Sequence, residues 1–371
     1  MLHHILQYLP TLDGLSKIAI FVVMLSVLIV LHEGGHFLVA RLNGVHIKDF
    51  ALGMGPSLFC WKSPRTGTNY RLNLFPIGGY CLMKGEDEKK EPDASGVLVS
   101  VSSHDDSYPS KRPLQRLAII AAGPVVNIIS AAVFLMASYS IVGISVPTTT
   151  IASVDSGRNA DVAGLRAGDT MTKINNVAIS SGFGFITRIE KSTGKTLHIS
   201  YLRGKQEHVA TVIPTLDGGV GRIGFTPVMF AVRYSLPQSA STSYHMLVDS
   251  TTSTFAVFGE LFAKPKATVG QLQGIIGLGS FSGQFQDMGW GVYLQFAALI
   301  SLSLGIFNLL PFPALDGGRA VFICFELLRG KPIDQKTEAY IHIGGLVAIL
   351  GLMVVISCHD ILSIIASHKT P

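Results

Sequence analysis

Hydrophobic residues run nearly unbroken over four long stretches of the chain, roughly 18–40, 116–143, 291–312 and 341–366. Each is long enough to cross a bilayer as a helix, which takes about 20 residues. Between the first two runs the pattern changes. From Asn69 to Leu74 polar and apolar residues alternate (Asn69, Arg71 and Asn73 against Tyr70, Leu72 and Leu74), the period of a strand. Pro64 and Gly67 mark a turn before it, and Pro76 with Gly78-Gly79 break it ahead of Tyr80–Lys84. The loop 41–115 therefore predicts a curved hairpin or small sheet beside the membrane. Its charged, serine-rich part, 86–112, predicts a flexible surface segment.

Residues 144–228 follow another pattern. "AGLRAGDTMTKINNVAI" combines a helix-end glycine, a Gly-Asp turn and an alternating strand. "TLHISYLRGKQEHVATVIP" supplies two strands joined through Arg203-Gly204-Lys205. The prediction is a small β-rich soluble insert. Residues 236–263 mix Ser and Thr with Met246, Leu247, Val248, Phe255, Phe258 and Leu261. That stretch is too polar to span and predicts an amphipathic helix lying at the membrane interface. A glycine-rich run, 270–291, leads back into the third span. The expected organisation is 1–143 with two spans, 144–228 as the insert, 229–290 as interfacial helix and connector, and 291–371 with two more spans.

Composition supports a membrane class. Of 371 residues, 14% are charged and 48% hydrophobic, so much of the surface has no need of water. The net charge of +5 is modest and no basic stripe carries interleaved aromatics, which argues against nucleic-acid binding. Cys60, Cys81, Cys324 and Cys358 form no C-x-x-C pair, so neither a disulfide framework nor a cysteine zinc site is indicated. Ile18–Ala40 is too long for a signal peptide and no small-residue cleavage site follows it, so it reads as a retained span. Arg41, Lys48, Lys111, Arg112 and Arg116 flank one loop, and Arg319, Arg329, Lys331 and Lys336 flank another. Only Lys17, Lys369 and the marginal Arg158 face them across the membrane. The positive-inside rule then makes those two loops cytoplasmic, with the insert and both termini extracytoplasmic.

Against this apolar background stands "VLHEGGHFLV", which places His32, Glu33 and His36 inside the first run. On a helix the two histidines lie one turn apart on one face, a spacing that lets both imidazoles reach one zinc ion with the glutamate beside a bound water. Composition alone would produce such a motif in roughly one chain in a hundred of this kind. Ionisable groups at membrane depth mark function by default. A zinc site needs a third protein ligand. "NLLPFPALDG" is the second anomaly, because Pro311 and Pro313 cannot continue a regular helix. Unwound backbone there would deliver Asp316 to an aqueous pocket. Depth agrees: His32 lies about 21 Å along a helix from Ile18, in the cytoplasmic third of a core about 30 Å thick.

With both motifs in place the chain resembles the site-2 proteases, the intramembrane zinc metalloproteases, and among them the bacterial regulator of sigma-E protease (RseP) group. The likeness runs from Ile18 to about Ala366. HEGGH fits at His32, Glu33 and His36, and Asn-x-x-Pro-x-Pro-x-x-Asp-Gly at Asn308, Pro311, Pro313, Asp316 and Gly317. "GMGP", "PIGGYCLMKGE" and "AAGPVVN" fit as well. The resemblance implies an α-helical polytopic membrane protein with four transmembrane helices, a membrane-associated cytoplasmic β-sheet and one extracytoplasmic PDZ-like α+β domain. It implies one Zn²⁺ per chain held by His32, His36 and Asp316, with Glu33 as general base. It assigns substrate contact to Asn308, Pro311 and Pro313, and to the loop 69–84 through Tyr70, Leu72, Gly78 and Gly79. Its implied substrates are membrane-spanning proteins, anti-sigma factors or signal-peptide remnants, cut after a first extracytoplasmic cleavage in the bacterial inner membrane. Two departures stand out. Well-known members carry two PDZ domains where this chain has room for one, and the family's "LSGPIGI" appears as "LQGIIGLGS". Two other classes use some of the same residues: a proton relay or transporter, and an inactive PDZ scaffold. The first needs ionisable groups spread across the bilayer, and the second needs no intact Glu33.

Overall fold

The first apolar run folds as one helix, α1 (Leu12–Leu42), in a computed structural model that describes residues 12–86, 91–92, 98–99, 105–179, 181–217, 220–263, 275–331 and 333–367. Two long strands follow, β1 (Ile47–Lys62) and β2 (Asn69–Met83), then the two-residue pair β3 (Glu91–Pro92) and β4 (Leu98–Val99). Most of the segment expected to be flexible, 86–112, lies outside the described residues. The second span is α2 (Pro113–Ala137), which begins on a proline and runs into a π-helical turn, Ser138–Val142. The insert then contributes β5 (Ile144–Val154), α3 (Asn159–Val162), β6 (Thr170–Ile174), β7 (Val177–Ala178), α4 (Gly182–Glu190), β8 (Leu197–Arg203), β9 (Gln206–Val212), β10 (Thr215–Asp217), β11 (Val220–Arg222) and β12 (Phe225–Val232). Five helices close the chain: α5 (Leu236–Ala263), α6 (Ile275–Asp287), α7 (Trp290–Leu309), α8 (Asp316–Arg329) and α9 (Gln335–Ser367). Helix α6 falls in the glycine-rich run read as a connector; residues 264–274 lie outside the described set.

Four of these helices are long and apolar enough to cross a membrane: Asp13–Leu42, Pro113–Val142, Trp290–Leu309 and Lys336–Val354. They match the four apolar runs, with boundaries shifted by one to five residues except at the end of the last, which stops at Val354. Helix α5 is not among them.

The chain divides into two compact units, Met1–Ser138 with Leu236–Pro371, and Tyr139–Ser235. In the first, α2 is central and packs against α1, α5, α7 and α8. Phe21 and Met24 of α1 meet Tyr293, Phe296 and Ala297 of α7 in one buried cluster. A second cluster joins Ala40, Val45, Ile47, Met83 and Ile119, which pins the base of the β1–β2 sheet to α1 and α2.

That sheet is more folded than a plain hairpin. Residues 49–52 pair with 79–82 on one side and with 69–72 on the other, while 59–62 pair with 69–72 on its far side. Both long strands double back, at Gly53 (φ +83°) and Gly78 (φ +80°), left-handed conformations that glycine adopts without side-chain strain. The order across the sheet is 57–62, 69–73, 47–52, 79–83. The last of these is an edge next to α1.

The second unit has a sheet in the order β12-β5-β6-β8-β9, with β7 pairing β6, over a core that includes Ile151, Leu165, Met171, Ile174, Phe185, Ile199 and Ile223. Asn175 (φ +49°) and Asn176 (φ +63°) are both left-handed and form the two-residue turn between β6 and β7. Paired positive φ is the requirement of a type I′ hairpin, which asparagine tolerates better than most residues. Asp169, from the Gly-Asp turn, is buried at 1% exposure. Arg203 clamps it with two hydrogen bonds of 2.8 Å, and the Arg166 N–H donates to it at 2.7 Å. Burial alone would raise this carboxyl above its ordinary pKa, but the Arg203 guanidinium outweighs it and holds the group below.

Candidate metal centre

Helix α1 brings His32 and His36 together as the i, i+4 spacing requires, with their Nε2 atoms 3.3 Å apart. Asp316 arrives from the first turn of α8. Its Oδ2 lies 3.2 Å from His32 Nε2 and 3.4 Å from His36 Nε2. No hydrogen bond is formed there, and Oδ2 is buried without a partner. These are three lone-pair atoms aimed at one point. Ligands held about 2.1 Å from a tetrahedral zinc stand about 3.4 Å from one another. The three observed separations are of that size, so the residues present fit the ion.

The surroundings fix which nitrogen faces the centre. His36 Nδ1–H donates to the Ile119 carbonyl at 2.8 Å, which leaves Nε2 with its lone pair free. His32 Nδ1 lies 3.3 Å from the side-chain nitrogen of Asn127, whose Oδ1 is buried and unpartnered. A half-turn of that amide, the two ends of which are interchangeable in shape, lets Oδ1 accept the proton that a ligating His32 carries on Nδ1. Asn127 is fully buried, and its backbone carbonyl accepts from the Ser301 hydroxyl of α7 at 2.8 Å, which ties this residue of α2 to α7 while its side chain meets α1. Gly123, one turn earlier on α2, is required by space: a Cβ there would lie 2.3 Å from His36 Nε2.

A cavity of about 590 Å³ opens on this trio. It is lined by His32, Glu33, His36 and Asp316, by the edge strand from Gly79 to Met83, and by Ala314, Leu315, Arg319 and Glu86. Glu33 lies against that edge: a Cβ at Gly79 would stand 3.3 Å from Glu33 Cγ. The Cys81 thiol is in the same cavity, but burial pushes its pKa up, with the charges of Glu33 and Glu86 adding to the effect. At the rim Arg319 bonds Glu86 at 2.9 Å.

The other sequence candidates are placed less uniformly. Gly79 lines the cavity, and Gly78 stands at the adjoining bend. Tyr70 and Leu72 do not line it. Their segment is bonded on both sides within the sheet, and Tyr70 stacks on Trp61 and packs against Phe37 and Phe50. The expected exposed edge in 69–84 is therefore corrected to 79–83, because both long strands fold back. Asn308 is half-buried in the last turn of α7, and Pro311 and Pro313 lie in the following loop, outside the cavity lining. That loop holds Ala314 at φ +76°, a left-handed conformation that costs a non-glycine residue on the order of 1–3 kcal/mol. The sequence gives no separate role to Cys81, Asn127 or His342. The "AAGPVVN" match was the available signal for Asn127; a lone histidine in α9 gave none.

Intramembrane histidines converging with a carboxylate on four apolar helices define a membrane-embedded metallohydrolase. The chain belongs to peptidase family M50, the site-2 proteases, whose sequence pattern matches residues 20–352. It is a zinc metalloprotease and an integral membrane protein. A Nostoc sp. protein whose name assigns it provisionally to the zinc metalloproteases is 33% identical over 345 residues, covering 89% of this chain and 92% of its own. The regulator of sigma-W protease RasP of Bacillus subtilis is 27% identical, covering 93% and 98%. Among solved structures, the PDZ domain of an SdrC-like protein from Listeria monocytogenes is 32% identical over 22% of this chain and 88% of that one, with a TM-score of 0.21.

Proposed function

We propose that His32, His36 and Asp316 hold a single zinc ion and that Glu33 is the general base of an intramembrane peptide hydrolysis. The observation that carries this reading is the set of three donor atoms 3.2–3.4 Å apart, one of them a buried carboxylate oxygen with no hydrogen-bond partner. These three residues would hold zinc, which would supply the Lewis-acid chemistry that polarises a scissile carbonyl and lowers the pKa of a bound water. Glu33 accepts the water's proton on a carboxylate oxygen and passes it to the leaving amide nitrogen.

A membrane-spanning substrate must unwind before attack, since its carbonyls are bonded within its own helix. The edge strand 79–83 replaces those bonds by strand addition. Gly79 and its neighbours therefore bind substrate backbone, with Asn308, Pro311 and Pro313 shaping the approach from the other side. The substrate class is single-span membrane proteins. The name of the B. subtilis relative, a regulator of sigma-W, favours a membrane-bound anti-sigma factor over a signal-peptide remnant. The distribution of Lys and Arg orients the protein in a bacterial inner membrane with the site toward the cytoplasm. It puts the 144–228 unit, a PDZ-like domain by its sequence pattern, on the outside, where it screens substrates already trimmed there. Helix α5, with Phe255 exposed, lies along the interface.

The test pairs metal content with cleavage. Purified wild-type protein should hold one zinc, Asp316→Asn should lose it, and Glu33→Gln should keep zinc while cleaving a reporter with a transmembrane target at least about 10²-fold more slowly. Cleavage by the Glu33→Gln protein at the wild-type rate would remove the base from this scheme. Loss of cleavage without any stable zinc would favour a proton relay instead.

A further inference from the structure

The loop that presents Asp316 is held only in part by its own backbone, where the Phe312 N–H donates to the Leu310 carbonyl at 2.7 Å and the Leu315 N–H to the Phe312 carbonyl at 3.2 Å. It runs from the end of α7 at Leu309 to the start of α8, and its two prolines offer no N–H. Ala314 lies in the left-handed region, where a side chain is strained. Such a backbone persists only where the surroundings over-determine it. Helix α9 adds a second constraint to that turn. The Ala314 N–H donates to His342 Nδ1 at 2.8 Å. One turn further on the same face, a Cβ at Gly345 would come 2.4 Å from Pro313 Cβ and 2.6 Å from its carbonyl oxygen, so the helix lies directly on the loop. One polar and one steric contact thus converge two to three residues before the carboxylate.

We propose that His342 is a positioning residue for the metal centre: it holds Ala314 in its left-handed turn and so sets the direction in which Asp316 leaves the loop toward His32 and His36. This rests on the zinc reading given above. A backbone N–H can only donate, so Nδ1 carries the lone pair and Nε2 the proton. That Nε2 is buried with no hydrogen-bond partner, and Glu338 Oε1 is 3.9 Å away. A histidine serving core packing would be satisfied at both nitrogens. This one is satisfied only at the atom that reaches the Asp316 loop.

The two ring nitrogens can be tested separately. His342→Asn puts an amide oxygen near the place of Nδ1, whereas His342→Gln puts it near Nε2. Full-length protein in detergent is loaded with zinc, and zinc retention is followed against a competing chelator, without reference to activity. We expect His342→Ala and His342→Gln to release zinc about 10- to 100-fold more readily, the usual effect of losing a group behind a ligand. His342→Asn should stay within about threefold of wild type because it keeps the hydrogen bond. Adding Ala314→Gly to His342→Ala should restore part of the retention, since glycine takes positive φ without side-chain strain. If His342→Ala does not fold, the Asn and Gln variants decide alone. Equal retention in all variants overturns the proposal, as does rescue by Gln with failure by Asn. If wild type holds no zinc, or Asp316→Asn holds it as well as wild type, the metal assignment itself has failed, an outcome separate from the other two.

Discussion

The two units bury polar groups in opposite ways. In the β-rich unit Asp169 is completely enclosed and fully satisfied: Arg203 and a backbone N–H occupy both carboxylate oxygens. In the helical unit the buried polar side-chain atoms left without a partner, among the described residues, are Asn127 Oδ1, Asp316 Oδ2, His342 Nε2 and Ser243 Oγ. Three of these four belong to the metal centre or to the residues directly behind it. A buried carboxylate that has every bond it needs serves the fold. One that lacks a bond, with two imidazoles facing it, is waiting for something the chain does not supply. An unmet buried group costs roughly 1–3 kcal/mol, and a fold keeps such groups where a ligand will meet the need.

That contrast can be broken at several points. The largest effect should follow Asp316→Ala. Removing one of three ligands should abolish stable zinc binding and lower cleavage on the order of 10³-fold or more, read by metal analysis and reporter cleavage. Glu33→Gln should cost about 10²- to 10⁴-fold in turnover with zinc unchanged; a parallel loss of zinc would make Glu33 a ligand and spoil the contrast from the other side. Gly123→Ala forces a Cβ against His36, and zinc retention should fall about 10- to 100-fold although no ligand has been altered.

In the other unit Asp169→Ala should lower that unit's stability by about 1–3 kcal/mol, the usual loss of hydrogen bonds to a charged group, less what solvent returns to the partly exposed Arg203, with zinc content untouched. The pH dependence has a definite sign. The folded-state pKa of Asp169 is depressed, so its contribution is present above the unfolded value of about 3.9 and fades as pH falls below it. Thermal melts of wild type and Asp169→Ala should keep a constant gap from about pH 5 to 8 and converge in stronger acid. The smallest effect is Asn176→Gly, which should stabilise the β6–β7 turn by roughly 0.5 kcal/mol by removing the residual strain of a left-handed asparagine.

Much of the helical unit was legible in the sequence because membranes impose a strong code. Four apolar runs stood out by length, the HExxH spacing by its rarity in lipid, and Asp316 by the prolines that break the helix before it. The β-sheet was legible only in part. Alternation over Asn69–Leu74 fixes which residues share a face, but it does not say which strand lies alongside. Register and edge were decided by fold-backs at Gly53 and Gly78, and this moved the free edge from Tyr70 and Leu72 to 79–83. Helix α6 was hidden because glycine and serine weaken the local preference that packing against α1 and α7 restores. His342 left no local signal, since its partner lies 28 residues away and is a backbone N–H.

The closeness of Gly79 to Glu33 has a mechanical consequence: a Cβ at Gly79 would stand 3.3 Å from Glu33 Cγ. The strand that would receive a guest chain is the same one that packs against the proton acceptor. A chain that pairs out of register would press that strand against the carboxylate, so fidelity in choosing the bond to cut is built into the rigidity of one short backbone segment.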